Sequence, residues 1–389
     1  MRVYLDHNAT TPLGAAARSA VQAALDVWGN PSSIHTQGRQ ARSLVEDARL
    51  HVARLLGCEP DEVIFVSGGT EGDNLAIRGL ALWARDERKA ALAGAKPHVI
   101  STAIEHPAVR GAMAELVREG FELTELPVSS DGLVAPESLA AALRPTTLVV
   151  SIALANHEIG TIAPIAALAK LAHEAGAYFH TDAVQAAGKM RIDVRSLGVD
   201  AATISSHKLY GPKGAGAIYV RRGLWAHPLV AGGHQEHERR GGTENTLAIA
   251  GFGAACLETL ATIDDDGARI AALRDTLESK LLQLPLAHRH GPADPQARVP
   301  GTTNVRFDGA RGELVVIGLD LEGICVSTGA ACTSGSVEPS AVLLGIGVPV
   351  ARAREAIRFS LGRNTTLDDI HVTVAAVERV VARIRAVPK

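Results

Sequence analysis

Short apolar runs alternate with segments of helical spacing through the first two-thirds of the chain. Val63–Ser67, His98–Thr102, Thr147–Leu154, Ala177–His180, Ala201–Ser205 and Gly216–Val220 are brief and mostly apolar. Runs of this kind predict strands buried on both faces. Between them, Asp73–Ala84, Pro107–Glu119, Pro136–Leu143 and Pro164–Ala175 carry helical periodicity. The last three open on proline, whose fixed φ suits the first helical position. Strand–helix alternation on this scale predicts an α/β fold, with a mostly parallel sheet covered by helices on both sides. Beyond residue 246 the pattern changes. A long helical stretch, Thr246–Leu284, gives way to a loop with Pro285, Pro292, Pro295 and Pro300. Short strands (Asn304–Phe307, Ile324–Ser327, Ile357–Ser360) and a last helix, Leu367–Ile384, then predict a smaller α+β unit.

Composition narrows the function classes. The 389 residues carry a net charge of −3, so no basic field points to nucleic acid or an anionic membrane. The N-terminus lacks the charged-then-apolar pattern of a secretory signal. The most apolar stretches, Leu148–Ala155 and Ala341–Ala351, fall short of the ~20 residues of a membrane span. A cytoplasmic protein is expected. The four cysteines form no CxxC pair, which argues against a structural metal site or a disulfide framework. Cys58, Cys256 and Cys325 read as small buried apolar residues.

In open α/β sheets, ligands gather beyond the C-terminal ends of strands. Four predicted strands run into polar residues there. Val63–Ser67 leads to Gly68, Gly69 and Thr70 ahead of a helix, where free N–H groups favour a phosphate, although the glycines also suit a plain turn. His98–Thr102 leads to His106, placed to stack on a cofactor ring or to hydrogen-bond in its own loop. Ala177–His180 leads to Asp182, which could hold a pyridinium nitrogen protonated or cap a turn. Ala201–Ser205 leads to Ser206, His207 and Lys208, and a lysine in that setting is a candidate imine-forming amine. Ser205 and His207 could hold a phosphate beside it. Lys213, in a Gly-Pro-Lys-Gly turn, reads as solvated.

The order of these features, with further motifs, resembles the cysteine desulfurases of the class V aminotransferase group, within the fold-type I pyridoxal 5'-phosphate (PLP) enzymes. The resemblance spans nearly the whole chain. It is carried by Tyr4–Pro12, Gly29–Ser33, Ser67–Asn74, Glu105-His106, Asn156–Gly160, Asp182–Gln185, Ser206–Gly214 and Arg240–Asn245. The most specific parts are Ser327–Ser340 (STGAACTSGSVEPS) and Arg358–Arg363 (RFSLGR). It implies a large PLP-binding domain over residues 13–258, with a mostly parallel seven-stranded sheet sandwiched by helices. Residues 1–12 and 259–389 would form the smaller domain that carries the sulfur-accepting cysteine loop.

The resemblance also assigns roles. Lys208 would hold the cofactor and act as base, with His106 stacked on the ring and taking part in catalysis. Asp182 would pair with the ring nitrogen and Gln185 would meet the phenolic oxygen. Gly69, Thr70, Ser205, His207 and, from a neighbouring subunit, Thr243 would hold the phosphate. Arg358 would clamp the substrate carboxylate, helped by Asn30. Cys332 would take the sulfur of L-cysteine as a persulfide, leaving L-alanine. The partners implied are L-cysteine, a second copy in a homodimer, and a sulfur-acceptor protein; relatives that dock on scaffolds often have a longer C-terminal tail. Three positions depart from the usual pattern: His157 stands where asparagine commonly touches the cofactor, and Gly72 and Ala330 stand where serine is common. The alternative readings are a selenocysteine lyase or aminotransferase on the same scaffold, a catalytically weak PLP-binding partner protein, and, remotely, a redox sensor built on Cys332.

Overall fold

A computed structural model describes residues 2–329 and 338–386 of the chain. Its strands, in chain order, are β1 (Val3–Tyr4), β2 (Val63–Val66), β3 (His98–Thr102), β4 (Glu122–Leu126), β5 (Thr147–Ser151) and β6 (Tyr178–Asp182). They continue with β7 (Ala201–Ser205), β8 (Gly216–Val220), β9 (Ala287–His290), β10 (Thr302–Phe307), β11 (Ile324–Cys325) and β12 (Ala356–Ser360). Seven of them form the large sheet, in the order β2-β8-β7-β6-β5-β3-β4. β4, β3, β5, β6 and β7 run parallel, and β8 runs antiparallel to both its neighbours. The expected α/β sandwich is what the chain forms.

Period-two alternation explains why these strands lack polar faces. On β2, Val63 and Phe65 enter one core while Ile64 and Val66 enter the other. On β8, Ala217 and Tyr219 face the first core, and Ile218 and Val220 the second. Helices cover both sides, so both sets must be apolar. β4 escaped the sequence pattern because it is an edge strand: of Glu-Leu-Thr-Glu-Leu only Leu126 is fully buried. β6 starts and ends later than its apolar run suggests, so Asp182 is the last residue of the strand itself. Helix bounds shift similarly: the first predicted helix starts at Gly69 and runs through a π-helical stretch at Leu75–Gly79. Pro164 precedes its helix, Ile165–Glu174, and does not open it.

The smaller sheet has the order β12-β10-β9, and β1 pairs in parallel with β11 beside it. Val305, Phe307, Ile357 and Phe359 of this sheet share a core with Leu319 and Val377 from two helices. Thr246–Leu281 is long and apolar enough to span a membrane by length and composition, against the expectation that the apolar stretches fall short of a span. Its small residues are used for packing within the fold. A Cβ on Gly253 would lie 2.6 Å from Ala48 Cα, and one on Gly251 would lie 2.7 Å from Val21 Cγ2. The helix that carries Ala48 therefore approaches it at backbone distance, and the Val21 side chain fills the space at Gly251.

Gly72 has a similar explanation. A Cβ there would meet Thr203 Cγ2 of β7 at 2.7 Å and Ile218 Cγ2 of β8 at 3.1 Å. The serine common at this position has no room here. Gly72→Ser is expected to lower the unfolding free energy by ~1–3 kcal/mol, read by chemical denaturation. An unchanged midpoint would show that Thr203 and Ile218 can give way.

Candidate active site

β2, β3, β5, β6 and β7 end on the same edge of the large sheet. The residues just past those ends line one cavity of about 200 Å³. β2 delivers Gly69 and Thr70, β3 delivers His106, and β5 delivers Ala153, Ala155 and His157. β6 contributes Asp182 and Gln185, and β7 contributes Ser205, His207 and Lys208. Arg358 of β12 and Asn8 line an adjoining hollow that shares His106, His157, Gln185 and Lys208 with the first.

Two expected residues are not brought to this place within one chain. Thr243 lines a separate hollow with Phe65, Ser67 and Gly242. Asn30 is exposed and uses its Oδ1 to accept the Ser32 N–H at 2.9 Å. The turn is fixed by Gly29, whose missing Cβ leaves space for the Gln37 carbonyl. A role for Asn30 at the Arg358 hollow of its own chain is therefore not supported. Cys332 and Ala330 lie outside the described residues.

Lys208 closes a short 3₁₀ turn directly after β7. Its Nζ donates to the backbone carbonyls of Asn8 at 2.5 Å and Ala9 at 2.8 Å. Burial, helped by the Arg358 charge, lowers its pKa to about 8. Lys213 is exposed, as expected of the solvated turn.

Asp182 is buried, and its Oδ1 accepts the Val184 N–H at 2.8 Å. It thus caps its turn and also lines the cavity. Burial pushes its carboxyl pKa up, and burial together with the Asp182 charge does the same to Asp73 beside it. His106 is held by its own helix start, Nδ1 accepting the Ala108 N–H at 3.2 Å. Its ring meets His157 edge-on, with centroids 5.4 Å apart. Burial, then the charges of His106, Arg358 and the two lysines, keep His157 well below its usual pKa. A neutral imidazole there does not add a further charge to the site. His207 is lowered to about 4 by burial and by Lys208.

Arg358 is buried, with Nη2 on Asp6 Oδ1 at 2.8 Å and Nη1 on the His157 carbonyl at 3.1 Å. Its Nε has no partner among the described residues. Four contributors were not singled out from sequence: Asn8, Asp73, Glu158 and Lys189. Glu158 is buried, accepts the Ser340 hydroxyl at 2.5 Å, and lies where a Cβ on Gly329 would come within 2.7 Å. Burial raises its pKa to about 7. Asn8 and Glu158 stood inside quoted motifs, and Asp73 opened a predicted helix; nothing in local spacing marks Lys189.

Residues 3–372 match the aminotransferase class-V family. The chain belongs to that family. Among its relatives, the cysteine desulfurase IscS of Dictyoglomus turgidum is 44% identical over 390 residues, covering 99% of this chain and 96% of that protein. A solved NifS-like protein superposes with a TM-score of 0.89 at 33% identity, over 98% of this chain and 100% of that one. A structure of SspA in complex with cysteine gives 0.80 at 32%, over 94% and 100%.

Class-V aminotransferases as a family work with PLP, and the cavity of this member fits that group. Ser205 Oγ is buried without a partner among the described residues, and it lines the cavity beside the helix start at Gly69. A hydroxyl and free helical N–H groups suit a phosphate. Asp182 at the end of β6 suits a protonated ring nitrogen, and Lys208 offers an amine with no carboxylate bonded to it among the described residues. Asp73, His106 and Asp182 also bring ligand atoms within 4.8 Å of one another, but they belong to this same cavity.

The electrostatics can be tested without the cofactor. In cofactor-free protein, labelling of Lys208 by an amine-directed reagent should show a midpoint near pH 8, about where the amine loses its proton. Arg358→Met should move that midpoint upward, because it removes a positive neighbour and frees Asp6. A midpoint near 10 in the parent protein would contradict the burial argument.

Proposed function

We propose that this class-V family member is a PLP-dependent cysteine desulfurase. It would convert L-cysteine to L-alanine and load the sulfur on Cys332 as a persulfide, for iron–sulfur cluster or other thio-cofactor biosynthesis. The observation that carries the reading is the Lys208 amine, lowered to about 8, facing the same cavity as Asp182 with Arg358 in the next hollow.

Lys208 would hold the cofactor, with Ser205, His207, Gly69 and Thr70 around the phosphate and Asp182 at the ring nitrogen. When bound, PLP supplies an electron-withdrawing ring that spreads the charge left on a substrate carbon. Arg358, in the adjoining hollow, would take the carboxylate of L-cysteine, by exchange with Asp6 or beside it. As an amine, Lys208 would take the Cα proton, with the Asn8 and Ala9 carbonyls orienting its Nζ. The Cys332 thiolate then attacks the substrate sulfur. An S–S bond forms as the C–S bond breaks, the C–S electron pair stays on carbon, and that carbon takes a proton to become the methyl group of alanine.

A homodimer belongs to this proposal, because Thr243 lines no part of its own chain's cavity. Trp28 and Ile34 beside the Asn30 turn are 76% and 91% exposed, which suits a covered face better than a solvated one.

Cys332→Ser is expected to bind PLP and to give the spectral change with L-cysteine, yet to release no sulfide under reducing conditions. Full sulfide production by that variant would favour a lyase. Lys208→Ala should lose the visible band of lysine-bound cofactor. An unchanged spectrum would mean that another amine holds it.

A further inference from the structure

Lys189 follows Gln185 by one turn of chain, closed by the Ala187 and Met190 N–H groups bonding to Ala183 and Ala186. That turn brings the two side chains together. Lys189 Nζ donates to Gln185 Oε1 at 2.5 Å and to Asn8 Oδ1 at 2.6 Å. Both acceptors are amide oxygens, so even a neutral amine, with two N–H bonds, satisfies the pair. No carboxylate pairs with Lys189 among the described residues, and its charged neighbours are Lys208 and Arg358. Burial and those two charges hold its pKa well below the usual lysine value. Pairing with an acid does not explain a lysine here.

Asn8 has no freedom to turn away from Lys189. Its Nδ2 donates to Thr302 Oγ1 at 2.9 Å and to the His157 carbonyl at 3.1 Å, so its Oδ1 must face the lysine. Gln185 is constrained in turn. With Oε1 taken by a group that offers only donors in that direction, its amide nitrogen is the end left to donate, and it reaches the Asn8 carbonyl at 3.0 Å. The carboxamide of Gln185 lines the cavity. A carboxamide without such a clamp can present either its oxygen or its nitrogen.

We infer that Lys189, anchored on Asn8, is a positioning residue that fixes the polarity of Gln185, so that an oxygen anion in the cavity meets an N–H donor and not a carbonyl. This rests on the reading of the cavity as a PLP site, where the anion is the phenolic oxygen of the ring.

The test is the pH titration of the visible band in holoenzyme. An N–H donor at that oxygen favours the more negative, proton-lost form of the bound group, so losing it raises the midpoint. Lys189→Met should shift the midpoint upward by about one unit. In a Gln185→Leu background the same substitution should add no further shift, since the residue it acts through is gone. A midpoint unchanged in Lys189→Met overturns the inference. So does a shift that persists in the Gln185→Leu background, which would show the lysine acting through its own charge. If Lys189→Met does not fold, Asn8→Ala decides, because it removes the lysine's second acceptor and should move the midpoint the same way; no movement overturns the inference. A parent enzyme with no Lys208-dependent band is a different result: there the PLP reading itself fails.

Discussion

A primary amine shielded from water and offered only backbone carbonyls is the constraint around which the site is arranged. Lys208 Nζ rests on Asn8 and Ala9, and the nearest acids are engaged elsewhere. Asp6 is bound by Arg358, and Asp182 spends one oxygen on the Val184 N–H. A carboxylate closed on the amine would raise its pKa and keep it charged. The Arg358–Asp6 pair therefore does two things. It holds Asp6 away from the lysine and puts a second positive charge nearby, and both favour the neutral amine that a nucleophile or base must be.

The chain segment from Asp6 to Thr11 makes this arrangement possible, because it belongs to both sheets. Its start continues β1 into the smaller sheet, where the His7 N–H and the Asn8 N–H bond to Ser360 of β12. Its end lies on the turn after β7, with the Thr11 N–H on the His207 carbonyl. Asn8, at the middle, has every polar atom engaged: Ser360, Thr302, His157, Gln185, Lys189 and Lys208 all bond to it. A buried side chain satisfied this completely is held in one orientation. The position of Lys208 is thus set as much by the smaller sheet as by its own strand.

What could be seen in the sequence follows from which signals are local. Strands covered on both faces announce themselves as apolar runs, so β2, β3, β7 and β8 were legible almost to the residue. β4 was not, since an edge strand with one buried side chain has no such run. Lys208 and Asp182 were legible because a polar residue at or just past the end of a buried apolar run stands out. His106 hydrogen-bonds in its own turn, one ring nitrogen accepting at a helix start, and it also lines the cavity. Asn8 and Lys189 were illegible for the opposite reason. Asn8 meets His157 and Thr302 across 149 and 294 residues of sequence, and Lys189 meets Asn8 across 181, and no spacing encodes these. Asn30 lies away from the Arg358 hollow of its own chain, because a motif gives residue types while a tight turn decides which way they point.

The two buried aspartates complete the electrostatic account. Asp73 and Asp182 each lose solvation, and Asp182 raises the pKa of Asp73 further. Two carboxyls so placed do not both ionise without a cation between them. His180 cannot be that cation. Burial lowers it to about 3, and its nitrogens face Ser151 and Thr203. The surroundings decide which acid keeps the proton. Asp182 accepts the Val184 N–H and has His106 and Lys208 as neighbours that lower its pKa, while Asp73, among the described residues, is lowered by the Thr203 hydroxyl. The groups that favour a charged carboxylate are thus gathered mainly around Asp182, which lines the cavity at the end of β6. On the PLP reading, Asp182 would meet the ring nitrogen there and would favour its protonated form, so that one interaction would both hold the ring and make it electron-poor.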